Sequence, residues 1–395
     1  MPEGTASMTF HDQDRAGFYQ WLDAWRSIAA GLVLVSHSRD ILLTDYAGQI
    51  AYAPFYAATR LGHSGVIVFF VLSGFWISRS VLRRIDRPGF WMFYLVDRLT
   101  RLEVVLVPAL ILGGVLDFIG RYLLDLPVYR GITGAHSIAG DVADHLAPHV
   151  LAANVAFLQT VVAPAWGSNG PLWSLANEFW YYVWFPALAL LLRRGRPTLA
   201  LAGLAIGIFN GSMVSGFSCW LVGFVLFLAL QRIPAGTQTP WHRGVFRAIS
   251  ACGAFLALLL LSGMFKARLP DLLLAGGFGW FLYELAAVDL PFPRWLSGLA
   301  RFGAGSSFSL YVIHFPIVAL VGGWLVRGGR MVPSPGGIAL VLLLSAFCLI
   351  LAWVFSQLTE RHTGLIRAAI KARLPRTGHT GGHGDDVRQR RDEPH

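Results

Sequence analysis

Apolar residues along this chain fall in long, nearly unbroken blocks, with the polar residues gathered between them. The blocks lie at about 25–43, 62–81, 102–120, 172–192, 197–210, 213–231, 246–264, 271–288, 306–326 and 336–358. A helix of roughly 20 apolar residues crosses the ~30 Å hydrocarbon core of a bilayer, and most blocks have that length. A soluble core would instead scatter its apolar positions at a period of 3.6 or 2. The pattern predicts an all-α fold: a polytopic membrane helix bundle with about ten transmembrane helices. The block at 197–210 is the shortest. The stretch 148–163 is also apolar, but it is short and interrupted by Asn154 and Gln159, so it is expected to be re-entrant or interfacial.

Between and around the blocks the chain divides into a polar lead at 1–24, a membrane domain at 25–360 and a polar, Gly-rich tail at 374–395. The first apolar stretch begins only near Trp25, so the first helix is expected to serve as the insertion signal without a cleaved leader. The tail has no apolar period and is expected to be disordered. The longest connection, about 121–171, carries Asp125, Asp141, Asp144 and several Gly and Pro residues. Long loops on helical scaffolds carry function, which makes it a candidate for ligand binding or a lid.

Composition agrees: 55% of the 395 residues are hydrophobic and 14% charged, where a soluble chain has roughly a quarter charged. The net charge of +10 alone would suit a nucleic-acid partner, but a basic nucleic-acid domain is not 55% apolar, and that class is excluded. The basic residues orient the protein instead. With the N-terminus in the cytoplasm, 24 of the 32 Lys and Arg residues fall on the cytoplasmic side, including six arginines from Arg79 to Arg101 and the cluster Arg193, Arg194 and Arg196. Ten spans put both termini in the cytoplasm, whereas an eleventh at 148–163 would invert every later loop. Cys219, Cys252 and Cys348 lie inside apolar blocks without metal spacing and read as small buried hydrophobes. No metal site and no internal repeat is evident.

An ionisable side chain inside a bilayer costs a few kcal/mol, so each is a functional hypothesis. His37 lies eleven residues after Arg26, about 16 Å up a helix. It reads either as a general base at cellular pH or as a packing histidine bonded to a carbonyl. Glu178, among Trp173, Trp180, Tyr181, Tyr182 and Trp184, reads as a carboxylate facing the bundle interior or as an interfacial one within an aromatic belt. Arg98 and Arg101 are three apart on one helical face and form a candidate phosphate clamp. His314 stands inside a late span with Ser309 and Tyr311 nearby. Gly65, Ser73 and Gly74 read as small-residue contacts that let helices approach closely.

Four segments in order carry a family resemblance. LDAWRSIAAGLVLVSH, with an Arg and a His separated by ten residues, resembles the first-helix signature of the acyltransferase-3 family of integral-membrane O-acyltransferases. GHSGVIVFFVLSGFWIS is similar to that family's second helix, WSLANEFWYYVWFP to its Trp-Ser-Leu…Glu block, and SFSLYVIHFPI to its late Ser-Leu-Tyr…His block. The match runs over about residues 20–360. The family's arginine block departs here: Asp97 holds its first position, Val104 stands in the place of a proline, and Glu103 adds a negative charge.

The resemblance implies a multi-pass enzyme of the plasma (inner) membrane that moves an acyl group, commonly acetyl, from acyl-CoA to a hydroxyl of a carbohydrate or glycosylated acceptor. Acyl-CoA enters as co-substrate, and no tightly bound cofactor, metal or nucleic acid is implied. His37 would act as general base or acyl carrier, with Arg26 and Glu178 beside it. Arg98 and Arg101 would hold the CoA phosphates, and His314, Tyr311 and Ser73 would contact substrate. The rival reading is a proton-coupled transporter or flippase with His37, Glu178 and His314 as a polar relay.

Overall fold

The computed structural model describes residues 16–195, 207, 210–233, 241–264 and 271–374. Ten principal helices make up the described chain: α1 (Ala16–Leu42), α2 (Gly62–Leu82), α3 (Phe90–Phe118), α4 (Trp173–Arg194), α5 (Gly211–Gln231), α6 (Trp241–Met264), α7 (Asp271–Val288), α8 (Ser297–Ile317), α9 (Pro335–Leu358) and the short α10 (Thr363–Ala372). No β-strand occurs among the described residues. The protein is an all-α polytopic bundle, as the blocks predict. Seven described helical segments are long and apolar enough to cross a membrane; they contain α2, α3, α5, α6, α7, α8 and α9. Helices α1 and α4, with 27 and 22 residues, have spanning length but are more polar. The expected span at 197–210 lies almost wholly outside the described residues, as do the ends of the polar lead and tail.

The helix ends follow local chemistry. Ser334 caps α9 by accepting the Gly337 N–H at 3.1 Å, and Pro335 occupies the first turn, where its missing N–H costs nothing. Helix α4 stops at Gly195, whose φ of +60° suits a left-handed cap. Pro108, Pro186 and Pro316 lie inside α3, α4 and α8. After Pro316, α8 runs into a π-helical turn at Val318–Gly322.

Helix α2 is the spine of the bundle, packed against α1, α5 and α7; α8 packs on α1, α3 and α9, and α10 lies on α3. The small residues of α2 do what their spacing predicts. A Cβ on Gly74 would sit 2.0 Å from the Trp220 carbonyl oxygen, and one on Gly223 2.0 Å from that of Val71. The α2 and α5 backbones therefore touch, which only glycine permits. At Gly65 a Cβ would come within 2.8 Å of the Ala29 carbonyl on α1.

Between α3 and α4 the chain forms a folded cap. The expected re-entrant stretch contains one eight-residue helix, Pro148–Val155, about 12 Å long and far short of a span. The cap is pinned to α3 by Asp117, which is fully buried and accepts the backbone N–H and the hydroxyl of Ser168, both at 2.7 Å. Trp166 Nε1 donates to the Leu110 carbonyl at 2.9 Å. A buried carboxylate is tolerated when its lone pairs are filled in this way.

Candidate active site

Two cavities lie along α2 and share Val66 and Tyr311 as a common wall. The first, of about 140 Å³, runs from Val66 to Ile77 and is lined by Arg26, Ser73, Arg98, Arg101, Glu178 and Tyr182. The second, of about 270 Å³, sits at the start of α2 and is lined by Val33, His37, His63, Ser137 and Trp173. From Gly62 to Ile77 the helix rises about 22 Å, and the two cavities follow one another along that length, adjoining at Val66.

In the first cavity, five expected residues from four helices meet with Tyr311 as the sixth. Glu178 accepts the Tyr182 hydroxyl at 2.6 Å. The Arg98 guanidinium lies over the rings of Tyr94 and Tyr182, at 5.5 and 5.9 Å from their centroids, and its buried Nε has no hydrogen-bond partner among the described residues. A guanidinium held by stacking keeps its donors for an anion. Arg101 stands 3.8 Å from Glu360 and Arg26 3.8 Å from Asp23. Ser73 Oγ accepts from Trp220 Nε1 at 3.2 Å.

Asp97, next to Arg98 on α3, does not line this cavity. It is buried and paired with Arg84 at 3.3 Å, Lys371 at 2.6 Å and Arg367 at 3.6 Å. It belongs to a separate basic cavity of about 410 Å³ with Arg87, Phe90 and Tyr94. Its charge is met by cations from α10 and the α2–α3 turn, so Arg98 and Arg101 are not neutralised by it.

Around His37 the polar groups form short chains of hydrogen bonds. Nδ1 of His37 is 3.1 Å from Ser137 Oγ. Both the backbone N–H and the hydroxyl of Ser137 donate to Asp40 Oδ2, at 2.8 and 2.7 Å. His63 Nε2 bridges both oxygens of Asp271 at 2.9 and 3.0 Å, and its ring stacks on Trp173. Tyr311 donates to the Pro171 carbonyl at 2.8 Å and makes a close hydrogen bond with the Ser174 hydroxyl.

The expected sites are thus brought together in part. His37 is separated from Glu178: its partner is Ser137, while Glu178 bonds Tyr182. His314 is not among the residues lining these cavities. It packs behind the partition, 5.4 Å from His37 between ring centroids, and Nδ1 donates to the carbonyls of Tyr311 and Leu310 at 2.8 and 3.1 Å. Sequence reasoning passed over Asp40, Ser137, His63 and Asp271. Asp40 is three residues from His37 and on its face, a signal open to inspection. Ser137 and Asp271 reach the site from 100 and 208 residues away in sequence from their partners, and nothing local marks them.

The chain is thus a helical membrane bundle in which an arginine-lined cavity backs onto a histidine-bearing one. A family profile described as an acyltransferase domain matches residues 19–357. The chain belongs to this family, the acyltransferase-3 family, and is an integral-membrane enzyme that transfers acyl groups. Among curated relatives, acyltransferase MdmB of Streptomyces mycarofaciens is 26% identical, over 76% of this chain and 84% of the relative. No solved structure matches the chain significantly.

Proposed function

We propose that the enzyme moves an acetyl group from acyl-CoA, bound on the arginine side, to a hydroxyl of a carbohydrate or glycosylated acceptor bound on the His37 side. The observation that carries this reading is the shared wall: the cation-lined and the histidine-lined cavities meet at Tyr311 and Val66. Arg98 and Arg101 offer guanidinium donors to phosphate, Arg26 stands in the same cavity, and the three arginines carry more positive charge there than Glu178 offsets. Ser73 and Tyr311 would contact the acyl-bearing end. In the second cavity the flat face of Trp173 suits a sugar ring.

In the reaction His37 takes the proton of the acceptor hydroxyl as its oxygen attacks the thioester carbonyl. The tetrahedral centre then collapses, the C–S bond breaks, and the leaving CoA thiolate receives the proton from the imidazolium. The acceptor becomes an ester and the histidine is restored. We also propose ten spans with both termini in the cytoplasm of a bacterial inner membrane, since the donor is made there. Membership of an acyltransferase family supports acyl transfer over the transporter reading.

The test is transfer of radiolabel from acetyl-CoA to acceptors in membranes bearing the protein. His37→Gln, which keeps a hydrogen-bonding group but cannot take a proton, should lower transfer by on the order of 10²–10⁴ while the protein inserts normally. Transfer at the wild-type rate in this variant would remove the general-base role.

A further inference from the structure

We infer that Ser137 and Asp40 are positioning residues that hold the neutral His37 ring with its proton on Nδ1, leaving Nε2 as the base. The inference rests on the reading of His37 as general base, but its evidence is separate and lies in the direction of three hydrogen bonds.

As a carboxylate, Asp40 only accepts. Its Oδ2 lies 2.8 Å from the Ser137 N–H and 2.7 Å from the Ser137 hydroxyl, so the single hydroxyl proton of Ser137 is spent on Asp40. What Oγ has left is lone pairs. The 3.1 Å contact between Oγ and His37 Nδ1 must therefore run from the imidazole, with Nδ1–H donating. The reverse arrangement would point the Ser137 proton at Nδ1 and face bare oxygen lone pairs against a carboxylate at 2.7 Å. A neutral ring carries one proton, and with Nδ1 protonated Nε2 has none. The structure shows no protein partner for His37 Nε2 among the described residues.

The neighbouring imidazole does not disturb this. His314 gives its own Nδ1–H to the Leu310 and Tyr311 carbonyls, and its buried Nε2 has no partner among the described residues. Having no second N–H to give, it cannot act as donor to His37. When His37 takes the acceptor proton, the positive ring keeps donating through Ser137 to a carboxylate. This is the orienting role of the acid in a triad, with a hydroxyl interposed. Because Ser137 belongs to the cap between α3 and α4 and Asp40 to α1, the base is assembled by two segments about a hundred residues apart. The cap is seated at the same place by His136, 3.1 Å from Asp45, and by Arg330, which bonds the Gly134 carbonyl.

The experiment is ¹⁵N NMR of the full chain labelled at histidine, in detergent micelles at pH 8.5, where an ordinary imidazole with a pKa of about 6.5 is neutral. The signals of His37 are those absent from His37→Gln. We expect a protonated, pyrrole-type Nδ1 and an unprotonated, pyridine-type Nε2. Ser137→Ala should shift both toward the averaged values of a tautomer mixture, and Ser137→Thr, which keeps the hydroxyl, should restore them. A general loss of structure would move the other histidines too and would not be reversed by threonine. A wild-type His37 with its proton on Nε2, or a Ser137→Ala spectrum identical to wild type, would overturn the assignment. Neither outcome touches the general-base reading, which stands or falls on transfer by His37→Gln.

Discussion

The two cavities hold their polar groups in opposite ways. Around Arg98 and Arg101 the chemistry is ionic and loosely paired: Arg26, Arg98 and Arg101 line one cavity with Glu178, and Glu360 answers Arg101 from 3.8 Å. Around His37 it is short and directional: Ser137 links His37 to Asp40, and His63 bridges the two oxygens of Asp271. Charge attraction falls off slowly with distance and tolerates rearrangement, but it is screened by salt. A hydrogen bond fails within a fraction of an ångström and fixes orientation. The first arrangement suits capture of a polyanionic donor, and the second suits aiming one proton acceptor at one hydroxyl.

This difference sets the size of the expected effects. The greatest loss is at His37, where Gln removes the proton acceptor. The arginine side should degrade more gently. Replacing Arg98 and Arg101 together with Gln should raise the apparent acyl-CoA constant more than tenfold, each charge-assisted contact contributing roughly 1.5–3 kcal/mol, while turnover at saturating donor stays near wild type. Raising ionic strength should mimic the double substitution. A fall in turnover with unchanged donor constant would show that these arginines act on the reaction and not on capture, and the contrast between the cavities would collapse.

Much of this was legible in the sequence where the cause is local. Block length marked the helices, the small residues of α2 marked its contacts with α1 and α5, and the three-residue spacing of Arg98 and Arg101 put them on one cavity wall. Local patterns do not say which distant segment completes a site. Ser137 reaches His37 from the cap, and Asp271 reaches His63 from α7, because helix packing brings them there. For the same reason Glu178 was linked in expectation to His37, whereas the fold gives it Tyr182, four residues on along the same helix face. Asp97 looked from its position like a charge set against the clamp, and only the placement of α10 shows where its charge goes.

The comparison also assumes that the cavities open to opposite faces of the membrane. In a background without Cys219, Cys252 and Cys348, Ile132→Cys, at an exposed position of the cap, should react with an impermeant maleimide in intact cells. Asp86→Cys should react only after permeabilisation. Labelling of position 86 from outside would put both cavities on the wrong sides and end the cross-membrane mechanism, although the bundle would stand.

The smallest effect concerns how firmly the cap is clasped. Arg121 donates through Nε and Nη2 to the two oxygens of Asp141, each at 2.8 Å. The Arg121 hydrogen bonds hold the Asp141 carboxyl down at about 2, against desolvation, with further help from the Ala143 N–H. A carboxylate whose pKa is lowered by folding stabilises the fold above its unfolded value near 3.8, and that contribution disappears as pH falls toward 2. The clasp should therefore not change between pH 8 and pH 5, and should open only in strong acid. Hydrogen exchange of peptides covering 138–146, corrected for intrinsic rates, should show constant protection across the neutral range. Arg121→Gln should raise exchange there a few-fold at pH 7, since a partly exposed ion pair is worth little, with residues 62–82 of α2 unchanged. If protection of this segment in the wild type instead falls between pH 8 and pH 6, the clasp depends on a histidine, and His136 or His145 would be the group to replace first.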